Sequence, residues 1–125
     1  MPSIDVIDGR PSEKVPERRA QFTRSSDAVV AGGRFFSGGI QGRPGLDATI
    51  QARDAFATIG AALSAADYAW DEVTDVWIQL ADTRDYADVV AVYGEIFPTK
   101  PPATSVIGFQ PTGRGLVQIQ VIAVK

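Results

Sequence analysis

The stretch from Gly115 to Val124 constrains this chain more than any other. Val117, Ile119, Val121 and Ala123 alternate there with Leu116, Gln118, Gln120, Ile122 and Val124, the period-two pattern of a β-strand. Neither set is polar enough to face water. A sheet built around such a strand needs cover on both sides, and the chain offers two convincing helices, which cover one. The second face is therefore expected to be covered by another subunit. Homo-oligomerisation follows from patterning alone.

The first helix is announced by Asp47, a good N-cap residue. Ala52, Phe56, Ile59 and Leu63 then recur at i, i+4, i+7 and i+11, one apolar face, and the helix is expected to stop near Ala66, before Asp67. The spacing predicts a second helix from about Arg84 to Phe97, with Tyr86, Val89, Val90, Tyr93 and Phe97 on its apolar face and Pro98 ending it. Between them Val73 to Leu80 alternates as a strand, Val76, Ile78 and Leu80 opposing Asp75, Trp77 and Gln79. Upstream, Ala28–Ala31 and Arg34–Ser37 flank Gly32-Gly33 and read as a hairpin, followed by a glycine-rich loop from Gly38 to Gly45. Downstream, Thr104–Phe109 and Gly115–Val124 flank Pro111-Thr112-Gly113 and read as a second hairpin. Residues 1–23, with Pro2, Pro11 and Pro16 among charges of both signs, are expected to form an N-terminal arm, leaving 24–125 as the domain. The order hairpin, helix, strand, helix, hairpin predicts an α+β fold: a single mixed β-sheet with two helices on one face.

Composition narrows the chemistry. A chain of 125 residues, 45% hydrophobic and 22% charged, builds one ordinary core. A net charge of −3 argues against nucleic acid, whose binders need a basic stripe, and against an anionic membrane surface. With neither cysteine nor histidine, disulfides, thiolate or imidazole metal sites and the usual nucleophilic triads drop out. No metal and no cofactor is expected. No stretch has the length of a membrane-spanning helix, and Met1–Arg10 lacks the apolar run of a signal peptide, so the expected location is cytoplasmic.

Several motifs together resemble the RidA/YjgF family. They are Ser37-Gly38 with Ile40; Gln51-Ala52-Arg53-Asp54-Ala55-Phe56 on the first helix; Asp85-Tyr86, Val89 and Tyr93 on the second; Pro102-Ala103-Thr104-Ser105; and Val117-Gln118-Ile119-Gln120-Val121-Ile122-Ala123. The likeness runs in order through about residues 24 to 125. It implies a homotrimer of chorismate-mutase-like fold with clefts between subunits, where the family's deaminases hydrolyse enamines or imines to ketoacids and ammonia. In that chemistry an arginine grips the substrate carboxylate through a bidentate fork. A glutamate positions water, and backbone groups near the Ser-Gly turn, here Ser37 and Gly38, orient the substrate.

The chain departs from the pattern where the chemistry lies. Thr104 stands at the arginine position and Gln118 at the glutamate position; an amide can orient water but cannot take its proton. Val90 replaces an asparagine of the second helix, and Phe22 an N-terminal tyrosine. Arg43 and Arg114, both in loops, are candidates to replace the missing carboxylate clamp, and Glu95 is the candidate acid. Trp77 and Phe36 could line an aromatic pocket, although aromatics at strand period more often serve a core or interface. The glycine loop lacks the lysine of a phosphate loop, so turn geometry explains it better than anion binding. Asp67, Asp71, Glu72 and Asp75 read as a solvated loop rather than a metal site. The expected function is a RidA-like enzyme with a remodelled intersubunit pocket acting on a small metabolite, by imine or enamine hydrolysis or by a cyclisation or isomerisation driven by positioning. The alternative is a non-catalytic trimer that binds a ligand or partner through the same clefts.

Overall fold

In the computed structural model, residues 4–7, 26–111 and 113–125 are described. The chain runs β1 (Ile4–Ile7), β2 (Ala28–Ala31), β3 (Arg34–Ser37), β4 (Ile40–Gln41), α1 (Ala48–Ala65), β5 (Val73–Leu80), α2 (Tyr86–Ile96), β6 (Ala103–Gly108) and β7 (Val117–Val124). These strands form one mixed sheet in the order β1-β2-β3-β7-β5-β6, with β4 also paired to β7. Within the segment expected as an arm, Ile4–Ile7 is a sheet strand antiparallel to β2.

Local chemistry explains the element boundaries. Gly32 and Gly33 both have positive φ, 59° and 72°, as a two-residue hairpin turn requires, and Ala31 pairs with Arg34 across it. Asp47 caps α1, its Oδ1 accepting from Ile50 N at 2.9 Å. The helix ends with Asp67 in the left-handed region at φ 62°, while the Asp67 and Tyr68 N–H groups bond back to the Ser64 and Leu63 carbonyls, the usual paired C-terminal closure. Ala52, Phe56, Ile59 and Leu63 are all buried, as their spacing demands.

The second hairpin does not form. β5, α2 and β6 make a crossover unit in which β5 and β6 are parallel neighbours, while β7 runs antiparallel to β5 on its other side. The turn signal at 111–113 falls within a longer connection between β6 and β7. Phe109 N donates to Leu80 O, and Ala81 N to Leu116 O, both at 2.9 Å, so the loop is stapled to the end of β5 rather than closing β6 on β7. On α2 the buried positions are Val89 and Val92. Val89, Tyr93 and Phe97 of the expected stripe face the core, but Tyr86 is 53% exposed, at the first residue of a helix that begins after a separate 3-10 turn at Thr83–Asp85.

Val117, Ile119, Val121 and Ala123 of β7 join Val76, Ile78 and Leu80 of β5 in the core beneath the helices. Each such side chain contributes roughly 1.5–3 kcal/mol relative to exposure. Among the described residues, no helix covers the opposite face of the sheet. It presents Phe36, Trp77, Ile107 and Val124 at 39%, 48%, 40% and 38% exposure; the strand registers place all four on that one side.

Candidate functional site

The structure gathers the expected polar residues into three places. The first is the kink between β3 and β4. Phe36 pairs with Ile122 and Ile40 with Ile119, so three residues of one strand face two of β7 across the break. Ser37 repairs the ladder there: its Oγ accepts from Val121 N at 2.8 Å and donates to Gly38 O at 2.9 Å. Gly38 N donates to Asp27 O at 2.9 Å. Of the backbone groups of this turn, expected to orient a substrate, Gly38 N is bonded to Asp27 O and Gly38 O accepts from Ser37 Oγ, both within the chain.

The second place is an amide chain on the open face of the sheet. Gln41 Nε2 donates to Gln118 Oε1 at 2.9 Å, and Gln118 Nε2 donates to Gln79 Oε1 at 2.6 Å. All three are half-buried. β7 supplies Gln118, with Gln41 opposite it on β4 and Gln79 opposite it on β5. Two glycines make room. A side chain at Gly39 would collide with the Gln118 amide, and one at Gly115 with the Gln41 amide. The amide of Gln118 is held at both ends, one end donating and the other accepting, so its place on the sheet is set by its neighbours.

The third place lies on the helix side, at the β6 edge of the sheet. Thr104 Oγ1 donates to Pro102 O at 2.9 Å and lies 2.7 Å from Tyr93 Oη of α2. The Tyr93 ring is held 5.0 Å from Phe97, which packs edge-on to Trp70 at 5.5 Å, an aromatic stack that fixes the hydroxyl in place. Val90, half-buried, lies three residues before Tyr93 on α2, so the two are neighbours on the helix surface.

Thr104 and Gln118 were expected on adjacent strands. They are not adjacent: β5 lies between β6 and β7, Thr104 is opposite Val76, and Gln118 is opposite Gln79 three residues further along β5. Thr104 shares the helix side with Val76, whereas Gln118 shares the open side with Gln79. One copy of the chain cannot bring them to a common ligand.

Other candidates are engaged elsewhere. Glu95 pairs with Arg53 of α1 at 3.0 Å, with both side chains more than half exposed. Arg43 grips Asp54 through Nε at 2.7 Å and Nη2 at 3.1 Å, and its backbone N–H adds a third bond at 3.0 Å. That guanidinium, despite some opposing burial, holds the Asp54 carboxyl below its ordinary value. Arg114 is exposed beside Gly45, at the far end of the glycine loop. Phe22 lies outside the described residues. Of the acidic loop, Glu72 caps the Ala69 N–H at 2.9 Å and Asp67 meets Lys125 at 3.5 Å. Among the described residues no group of three acidic side chains is placed to hold a metal. Gln41, Gln79 and the Tyr93 hydroxyl escaped the sequence reading. Gln79 was visible as a polar residue on the outer side of a strand, but its meeting with Gln118 depends on a register that sequence does not print.

A seven-stranded sheet with two helices on one face and an amide chain on the other defines a small α+β protein of the YjgF kind. The family described as Endoribonuclease L-PSP matches residues 16–125, and the chain belongs to it, that is, to the RidA/YjgF family. The RutC family protein slr0709 of Synechocystis sp. is 29% identical over 111 residues, spanning 79% of this chain and 84% of that protein. Among solved structures, Rv2704 of Mycobacterium tuberculosis, a member of the YjgF/YER057c/UK114 family, superposes with a TM-score of 0.85 at 25% identity, covering 98% of this chain and all of that one. Protein YJGH superposes at 0.84 with 27% identity, over 96% and 95% of the two chains.

Proposed function

We propose that this chain is a RidA-like trimer whose remodelled intersubunit pocket handles a small metabolite by positioning it, without the arginine and glutamate of imine hydrolysis. The observation that carries this reading is the Gln41–Gln118–Gln79 chain: at the position of a water-activating carboxylate stands an amide held at both ends and without basicity. Such a group can align a substrate or a water but cannot abstract a proton. The separation of Thr104 and Gln118 within one copy supports a pocket completed by a second subunit, and the apolar open face supports assembly. Because Gln118 carries no catalytic charge, a ligand-binding trimer without turnover is the second reading. The family's description carries a ribonuclease name. A net charge of −3 and the absence of histidine speak against RNA as this chain's substrate.

The test is reconstruction. The parent is expected to hydrolyse 2-aminoacrylate little faster than background, and Thr104→Arg with Gln118→Glu to gain ketoacid and ammonia release. A parent as fast as an arginine-containing relative would overturn the proposal. Metabolite turnover by the parent that Gln118→Leu abolishes, with the assembly intact, would select enzyme over binder.

A further inference from the structure

Proton accounting at the sheet edge gives the site a definite polarity. Thr104 Oγ1 lies 2.9 Å from Pro102 O. A carbonyl only accepts, so the threonine proton lies in that bond. Tyr93 Oη lies 2.7 Å from the same Oγ1, whose proton is already used, so the tyrosine proton lies in the second bond. A hydroxyl has one proton and two lone pairs. Both protons are therefore committed inward along Tyr93→Thr104→Pro102, and the pair offers an incoming molecule lone pairs only. An arginine at position 104 would do the reverse, presenting donors and no acceptor.

We infer that the Tyr93–Thr104 site takes an N–H donor, an amidinium, ammonium or amide nitrogen on a small apolar body, and discriminates against carboxylates. A carboxylate would meet oxygen lone pairs, and could be accommodated only by turning the Thr104 proton away from Pro102 O, which gives up that bond. A donor group needs no such rearrangement, and a cationic one makes the stronger, charge-assisted bond. The apolar part has a neighbour in Val90, next to Tyr93 on α2. The aromatic stack of Tyr93, Phe97 and Trp70 keeps the acceptor from swinging away. This inference rests on the proposal that the chain binds a small molecule at this edge, and it specifies the chemistry of that molecule.

Three compounds of one shape test it: isobutyrate, isobutyramide and isobutyramidinium, which present only acceptors, one of each kind, and only donors. Each is titrated into the full chain while NMR follows the Thr104 methyl and the Val90 and Tyr93 resonances. The expected order of affinity is amidinium, amide, carboxylate, with at least about tenfold between the extremes, the scale of one charge-assisted bond. Tyr93→Phe with Thr104→Val should erase the order, which separates local acceptors from the general attraction of an acidic protein for cations. Thr104→Arg should invert it. If isobutyrate binds the parent at these residues as well as the amidinium, or if the double variant keeps the preference, the inference falls while the pocket stands. If none of the three moves these resonances, the small-molecule reading of this edge falls with it.

Discussion

Replacing Ser37 by alanine should cost stability rather than ligand recognition. The hydroxyl is buried, and it makes two bonds at the one point where β3 breaks away from β7. Alanine fills nearly the same space, so cavity formation contributes little. What remains is the Val121 N–H, in a residue 1% exposed, with no replacement acceptor in the strand register at the break. An orphaned buried donor costs ~1–3 kcal/mol. A midpoint of about 2 kcal/mol is a substantial part of the roughly 5–15 kcal/mol that holds a domain together. For a chain of this length it corresponds to roughly 6–10 °C in Tm. The direct assay is amide hydrogen exchange at Val121, where 2 kcal/mol of lost local protection is a rate increase of about thirtyfold. Urea unfolding at fixed protein concentration gives the global figure, since any assembly would make stability concentration-dependent. Unchanged exchange at Val121 together with unchanged unfolding would refute the claim that Ser37 completes the ladder. It would return the hydroxyl to the list of groups available to a ligand.

Gly39→Ala should drive a methyl into the Gln118 amide and destabilise by ~1–3 kcal/mol; the check is displacement of the Gln118 side-chain NH2 resonances, and unmoved resonances would mean the amide is not packed there. Trp77→Asp, on the open face, tests the proposed trimer: light scattering at micromolar concentration should show a smaller assembly than the parent's, and an unchanged mass would place the interface elsewhere. The Arg43 contact lowers the Asp54 carboxyl in the folded state. Its stabilisation is therefore fully present above the unfolded aspartate value, near ~4, and is lost as pH falls through the lower folded value. Asp54→Asn should cost about 0.5 kcal/mol at neutral pH and almost nothing at strongly acid pH, as read from urea midpoints across pH.

What sequence revealed and what it hid divide along the range of the interactions. Asp47, Gly32-Gly33 and the Ala52–Phe56–Ile59–Leu63 stripe are local devices, each complete within a few residues, and the structure has each in its expected role. The false hairpin at 104–124 arose because the same local logic was applied to a pairing that is not local. A turn signal between two strands says that the chain reverses, but not which neighbour the second strand finds, and the β5-α2-β6 crossover had already placed β6 beside β5. The site shows the division most sharply. Thr104 and Gln118 were visible as departures from a motif, but what those departures do is decided by partners distant in the chain. Gln118 is held in place by Gln41, 77 residues away, and Gln79, 39 away. Thr104 owes its polarity to a tyrosine on the preceding helix and a carbonyl two residues back. Residue type alone would class threonine as both donor and acceptor. Only the geometry that uses up its proton turns it into an acceptor, and the proposed preference for donors rests on that geometry.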